Sequence, residues 1–341
     1  MFKVLEQLCN LSGVSGNEGA VRDAIRAYAK PYAEEIWEDS IGNLFVKKRG
    51  KARRADTLMV CAHMDEVGLI IREITEDGYL KFASVGGIDH RVLLGKRVLV
   101  GKKEIPGVIG SRAIHLTAAK ERESVPKIDD LYLDIGTTKK LQAERKVALG
   151  DVAAFEPNYR VFGNGLICSK AIDDRLGCAV MLKLLCEEIA YDTWFVFTVQ
   201  EEVGLRGATT AAYAIAPDRA LVLEGTTAAD LPNVEGMRRV CSLSGGAVIG
   251  LMDGATIYDK EMFTSLRALA EENGILWQTK QMIAGGTDAG AIQRSRSGVR
   301  CANIAAPVRY LHGPSSVTSI SACEAVLTLA RLYINREGDH E

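Results

Sequence analysis

The string Ala62-His63-Met64-Asp65-Glu66-Val67-Gly68 closes an apolar run, Thr57–Ala62, with one histidine and two acids. In open α/β sheets, sites collect at the carboxyl ends of strands. Residues two apart on an extended segment face the same side, so His63 and Asp65 project together. A ligating histidine usually gives its second ring N–H to a carboxylate, and Asp65 is placed to receive it. An ordinary His–Asp pair at a strand end has the same pattern. Further on, Ser169–Gly177 opens a long helix with Asp173 and Asp174. Acids there also suit simple capping beside the helix dipole. Gln200-Glu201-Glu202-Val203-Gly204 follows the apolar strand Trp194–Val199. Two glutamates at such an edge are costly to desolvate without partners. A metal would partner one and proton transfer would employ the other, a solvated turn being the alternative. Glu224 follows a third apolar strand, and His312 precedes a Gly313-Pro314 turn.

The chain has five histidines. His90 and His115 fall in a β-rich stretch and His340 in the tail, so His63 and His312 are the stronger candidates. Two histidines with three acidic ligands, drawn from the Asp173-Asp174 pair, the Glu201-Glu202 pair and Glu224, plus a spare glutamate, form a donor set suited to zinc, cobalt or manganese. Calcium would ask for oxygen donors throughout, and a closed structural zinc site would be expected to use cysteines. Five ligands serve two ions if one carboxylate bridges them at roughly 3.5–4 Å separation, and such a pair makes a water nucleophilic near neutral pH.

The elements that must position these residues alternate. Two short helices, broken at Ser12–Gly16, come first, with Ser15 or Asn17 a plausible N-cap for the second. Extended segments over Glu35–Glu38 and Leu44–Lys48 lead to Thr57–Ala62, which suits a strand buried on both faces. From about 68 to 160 the texture is short β stretches (68–74, 79–83, 97–100, 108–110, 131–135, 152–155), with one helix near Thr138–Arg145. After about 163 the pattern is again βαβ-like. It runs through a helix Asp173–Ala190 with Leu176, Val180 and Leu184 on one face, strands Thr193–Val199 and Ala220–Leu223, and helices near Asp259–Asn273, Thr287–Gln293 and Ser321–Ile334. The expected architecture is an α/β catalytic domain, 1–67 and 163–341, interrupted by a β-barrel-like domain, 68–162.

Composition narrows the function. With 341 residues, 47% apolar, 25% charged and 6% aromatic, the chain has the make-up of a globular protein too long for one ordinary core. A net charge of −2 provides no field to recruit nucleic acid or an anionic membrane. The basic run Lys47–Arg54 falls between two strands and reads as a solvated turn. No window approaches the ~18 apolar residues of a membrane helix, and Lys3 and Glu6 argue against a secretion signal. Eight cysteines lie mostly in apolar runs without a C-x-x-C pair, which predicts reduced thiols and a cytoplasmic location.

In this order the motifs resemble the M42 metallo-aminopeptidases, the family that includes the tetrahedral TET peptidases. The resemblance runs from Leu11-Ser12-Gly13-Val14-Ser15-Gly16 to His312 and rests on AHMDEVG, KAIDDRLG, VQEEVGLRGA and GGTDAGAIQ (Gly285–Gln293). It implies two divalent ions per subunit, with His63, Glu202, Glu224 and His312 as terminal ligands and Asp173 bridging. It further implies Glu201 as general base, Asp65 orienting His63, and a strained Asp173–Asp174 peptide for which cis is one geometry. Asp288 falls on the structural or substrate side. Glu224 departs from the family pattern, which often has aspartate there, and the longer arm bears on metal or substrate choice. The β insertion corresponds to the family's subunit-pairing domain, so the expected partners are peptides and further copies of the chain, as dimers or dodecamers. The rival functions are a related two-metal deacylase or carboxypeptidase, a glycosidase using two carboxylates, and a non-catalytic peptide binder.

Overall fold

The computed structural model describes residues 1–283 and 285–336; His340 lies outside the described residues. An eight-stranded sheet forms the larger body, ordered 35–38, 44–48, 193–198, 58–63, 219–227, 300–308, 247–249 and 277–278. Its centre is parallel: 58–63 lies between 193–198 and 219–227, and the latter pairs in parallel with 300–308. Each central strand is buried on both faces. Leu58, Val60 and Ala62 point into one core, while Met59 and Cys61 point into another. Continuous apolar runs such as Leu58–Ala62 are what a sheet covered on both sides requires.

Helices supply that cover. Phe2–Asn10, Ile172–Leu185, Lys260–Glu272 and Ile320–Asn335 lie over one face, and Arg206–Ile215 with Ala289–Ile292 over the other. The helix expected from Asp173 to Ala190 ends at Leu185 and is buried nearly all round, beyond the stripe of Leu176, Val180 and Leu184. It is sandwiched between the sheet and helices 2–10, 19–29 and 320–335, which leaves it no solvent face. The second helix, Gly19–Ala29, starts after Glu18 and has no side-chain cap, so neither Ser15 nor Asn17 caps it. Ser15 is drawn instead into the candidate site described below.

Six strands, 68–74, 80–85, 131–134, 105–111, 97–100 and 152–155, close into a barrel in that order. Period-two apolar residues fill it, including Leu69 and Ile71, Leu80 and Phe82, Val98 and Val100. The expected helix near 138–145 is Lys140–Glu144, and a short helix at 119–122 was not anticipated. A three-stranded sheet joins 160–162 to 166–169 and 316–319, tying the exit of the barrel to the chain just after His312. Of the basic run, Lys47 and Lys48 end strand 44–48 and the remainder forms the connection to 58–63, with Arg54 half-buried over the Tyr191 ring. Among the described residues no helix is long and apolar enough to cross a membrane. All eight cysteines are free, six buried, Cys168 partly exposed and Cys186 exposed.

Candidate metal and catalytic centre

Parallel pairing brings the strand ends together. Thr198 lies opposite His63 and Val222 opposite Cys61, so His63, the Glu201-Glu202 turn and Glu224 emerge at one edge of the sheet. The fourth component is Asp173. The Asp173–Asp174 peptide is cis, and both residues lie outside helical φ/ψ at the start of their helix. The two acids divide their tasks. Asp174 accepts from the N–H of Gly177 at 2.8 Å and of His63 at 3.3 Å, so it is the capping acid. Asp173 faces the cluster instead.

Asp173 has one oxygen on each half of the site. Its Oδ1 lies 3.3 Å from His63 Nε2, and its Oδ2 3.6 Å from His312 Nε2. Glu224 Oε1 approaches the same His63 nitrogen at 3.1 Å, and Glu202 Oε2 approaches His312 Nε2 at 3.3 Å. The extra methylene of Glu224 therefore does not keep its carboxylate from reaching His63. An oxygen of Asp174 also comes within 4.8 Å of the donors of His63 and Glu224. Both Asp174 oxygens already hold backbone N–H groups, so Asp173 is the better candidate to face an ion.

Asp65 does more than face His63. Its Oδ1 lies 3.3 Å from His63 Nδ1, without hydrogen-bond alignment. It also accepts from the backbone N–H of Glu201 at 3.0 Å and of Glu202 at 3.2 Å, and from Ser15 Oγ at 2.6 Å. One buried carboxylate thus fixes the turn carrying both glutamates. Burial pushes its pKa up, but His63 and these donors outweigh burial and hold it below the usual aspartate value.

The electrostatics show an excess of acid. Burial and repulsion from Asp173 raise Glu202 to about 7. Burial, with Asp288 and Glu202 nearby, pushes Glu201 well above the ordinary range, and burial does the same to Glu224. For His312, burial works downward but is overcome by Asp173 and Glu202, which raise it to about 9. Glu224 Oε2 is buried without a hydrogen-bond partner, as is His63 Nδ1. Buried carboxylates that destabilise one another, with an unsatisfied oxygen among them, are a donor set short of positive charge. Divalent cations fit that deficit, and the mixed N/O donors suit zinc, cobalt or manganese.

Glu201 lines an adjoining cleft of about 750 Å³, together with Glu224, Leu231, Lys280, Thr287 and Tyr310. Asp288 is not in that lining. It is buried beneath the strand ends, where Oδ2 accepts from Thr198 Oγ1 at 2.5 Å, and burial raises it to about 6. His90 sits in a short turn of the barrel segment, and His115 is exposed.

Behind the site lies a buried ionic group that the motifs contain but do not announce. Lys170 Nζ donates to Glu66 Oε1 and Oε2 at 2.7 and 2.8 Å and to the Leu11 carbonyl at 2.8 Å. Arg175, also fully buried, donates to the carbonyls of Met64 and Leu8. Nothing in the local sequence marks these charges as buried, since each follows a polar residue: Asp65 before Glu66, Ser169 before Lys170 and Asp174 before Arg175.

Comparison with known proteins places the chain among relatives of the same family and fold. The family model described as M42 glutamyl aminopeptidase matches residues 42–329. A relative from Acetivibrio thermocellus is 38% identical, with 94% of each chain covered. The solved aminopeptidase of the archaeon Desulfurococcus kamchatkensis superposes with a TM-score of 0.93 at 34% identity, covering 98% of this chain and 94% of that one. Pyrococcus horikoshii TET1 peptidase, which can assemble into a tetrahedron or a large octahedral shell, gives a TM-score of 0.86 at 32% identity, with 98% of each chain covered. The chain belongs to the M42 glutamyl aminopeptidase family.

Proposed function

We propose that this enzyme is a two-metal aminopeptidase that removes N-terminal residues from peptides. The observation that carries the proposal is Asp173, whose two oxygens face two separate histidine–glutamate pairs. His63, Glu224 and Asp173 Oδ1 would hold one ion, and His312, Glu202 and Asp173 Oδ2 the other. Zinc and cobalt suit the donors best, with manganese as an alternative. Two divalent cations, when bound, polarise a carbonyl and make a water acidic enough to attack it. Glu201 takes the proton from the attacking water and returns it to the leaving amine nitrogen. Its place beside Glu202, on a turn pinned by Asp65, puts it in the lining of the cleft, next to the proposed ligands.

Chelation tests the proposal. Prolonged EDTA treatment is expected to abolish hydrolysis of aminoacyl p-nitroanilides, and zinc, cobalt or manganese to restore it. Hydrolysis that persists without metal would sink the reading. Acetylating the substrate amine should also abolish cleavage, whereas a deacylase would be indifferent or faster. Asp65→Asn supplies a finer prediction. An amide cannot match both the imidazole and the two N–H groups, so zinc affinity should fall by about 10–100-fold. Competition with a chromogenic chelator measures this, and an unchanged affinity would remove Asp65 from its supporting role.

The segment 68–162 is proposed as the subunit-pairing domain of a homo-oligomer, with 1–67 and 163–341 as the catalytic part. The assembling TET1 relative supports the homo-oligomer. Eight free cysteines support a cytoplasmic location.

A further inference from the structure

The two histidines of the site are supported from different parts of the molecule. His63 is faced by Asp65, from the segment directly after its own strand. The partner of His312 comes from the barrel. The Gly87 carbonyl, in the connection after barrel strand Leu80–Val85, lies 3.0 Å from His312 Nδ1. Nδ1–H donates to that carbonyl, which leaves Nε2, facing Asp173 and Glu202, as the ring nitrogen available to a metal. Oriented histidine ligands use this arrangement.

The same connection also backs Glu202. Gly86 has φ +80°, and a Cβ there would lie 2.8 Å from Val67 Cγ1 and 3.3 Å from Glu202 Cβ. Gly87 is nearly as close to the other side chain, its Cβ position being 3.6 Å from His312 Nδ1. Both residues of one half of the site are thus backed by two consecutive glycines of the barrel segment. Asp89, at the end of this connection, joins Gly87 in the lining of the cleft. Absence of a side chain allows such a close approach of backbone.

We infer that the connection Gly86–Asp89 is a positioning element of the metal site, setting Glu202 and His312 so that the barrel segment completes one half of the centre. The inference rests on the two-metal reading above. It assigns to the barrel a contribution to the site beyond subunit pairing, and Gly87 acts through His312 without touching substrate.

Gly86→Ala and Gly95→Ala form the matched test. Gly95 lies in the same segment with φ +76°, but nothing stands within 4 Å of its Cβ position. Both alanines incur the left-handed backbone cost, and only the one at 86 presses on Glu202. Apoprotein of each full-length chain is titrated with cobalt by calorimetry. Wild type and Gly95→Ala are expected to bind two ions per chain with matching affinities. Gly86→Ala should keep one ion and bind the other about 10–100-fold more weakly. Equal affinities in the two variants would overturn the inference and leave the two-metal reading intact. Fewer than two ions on wild type would overturn both.

Hydrogen–deuterium exchange on the wild type covers the case in which Gly86→Ala does not fold. Metal loading fixes His312, so amides of 86–89 should exchange more slowly in loaded protein than in apoprotein. Identical exchange in the two states would also overturn the inference.

Discussion

Glu201→Gln is expected to lower kcat by about 10²- to 10⁴-fold, the usual contribution of a positioned general acid–base group. That corresponds to about 2.7–5.5 kcal/mol of lost transition-state stabilisation. Glutamine has the shape of glutamate and keeps the backbone N–H that Asp65 holds at 3.0 Å, so the turn should survive. What it loses is the ability to accept a proton. Neighbouring Glu202, the proposed ligand, is unchanged, so the variant should still bind two ions. Because the substitution removes an interaction made in the transition state, kcat and kcat/KM should fall together. Steady-state kinetics on p-nitroanilides, with metal content measured on the same samples, separates the outcomes. A fully loaded variant within tenfold of wild type would show that Glu201 is not the base. Equal, feeble turnover by both proteins across a broad peptide panel would point to a non-catalytic family member.

That Glu201 and Glu202 stand together at a strand edge was legible because it depends on local facts. An apolar run ending in two acids places them at a strand edge, and the ordering of five such motifs along the chain carries the family resemblance. Five strands of the sheet were equally legible, whereas 300–308, 247–249 and 277–278 were not anticipated. Leu58–Ala62 has no polar residue, and the barrel strands keep their period of two. What sequence could not supply were partnerships set by the direction of backbone groups. Ser15 has the residue type of a helix cap but binds Asp65, fifty positions away. Asp173 and Asp174 look alike as a pair, and only the turn of the backbone sends one to the N–H groups of Gly177 and His63 and the other into the cluster. Gly86 and Gly87 resemble ordinary turn residues until the barrel is folded against His312. Glu66, Lys170 and Arg175 carry charge, which in a local window predicts solvent. Their burial follows from long-range packing between the segment after 58–63, the start of the buried helix and the N-terminal turn.

That ionic group carries the largest expected effect on stability. Lys170→Met should destabilise the fold by about 3–5 kcal/mol, the range for removing one member of a buried ion pair. Methionine matches the four-atom apolar stem of lysine and lacks only the ammonium, so packing is largely kept and the loss is mainly electrostatic. Glu66, only 2% exposed, would retain the Gly13 N–H at 3.0 Å and a long contact to Arg175 Nη2 at 3.5 Å. It would lose both short bonds from Lys170, and the Leu11 carbonyl would lose its donor. Since Lys170 lies three residues before Asp173 and Glu66 follows Asp65, the damage should extend to metal affinity. Pairing the change with Glu66→Gln discriminates between lost charge balance and general disruption. Glutamine still accepts from Gly13 but no longer leaves a buried anion, so the double variant should be more stable than the sum of the single losses predicts. Denaturant unfolding at one protein and metal concentration is required, because association and bound ions both shift apparent stability. A single-variant loss below about 1 kcal/mol would mean that Arg175 or penetrating water already compensates Glu66. Strict additivity would mean that the Lys170–Glu66 pair is not the unit that joins the N-terminal turn to the floor of the metal site.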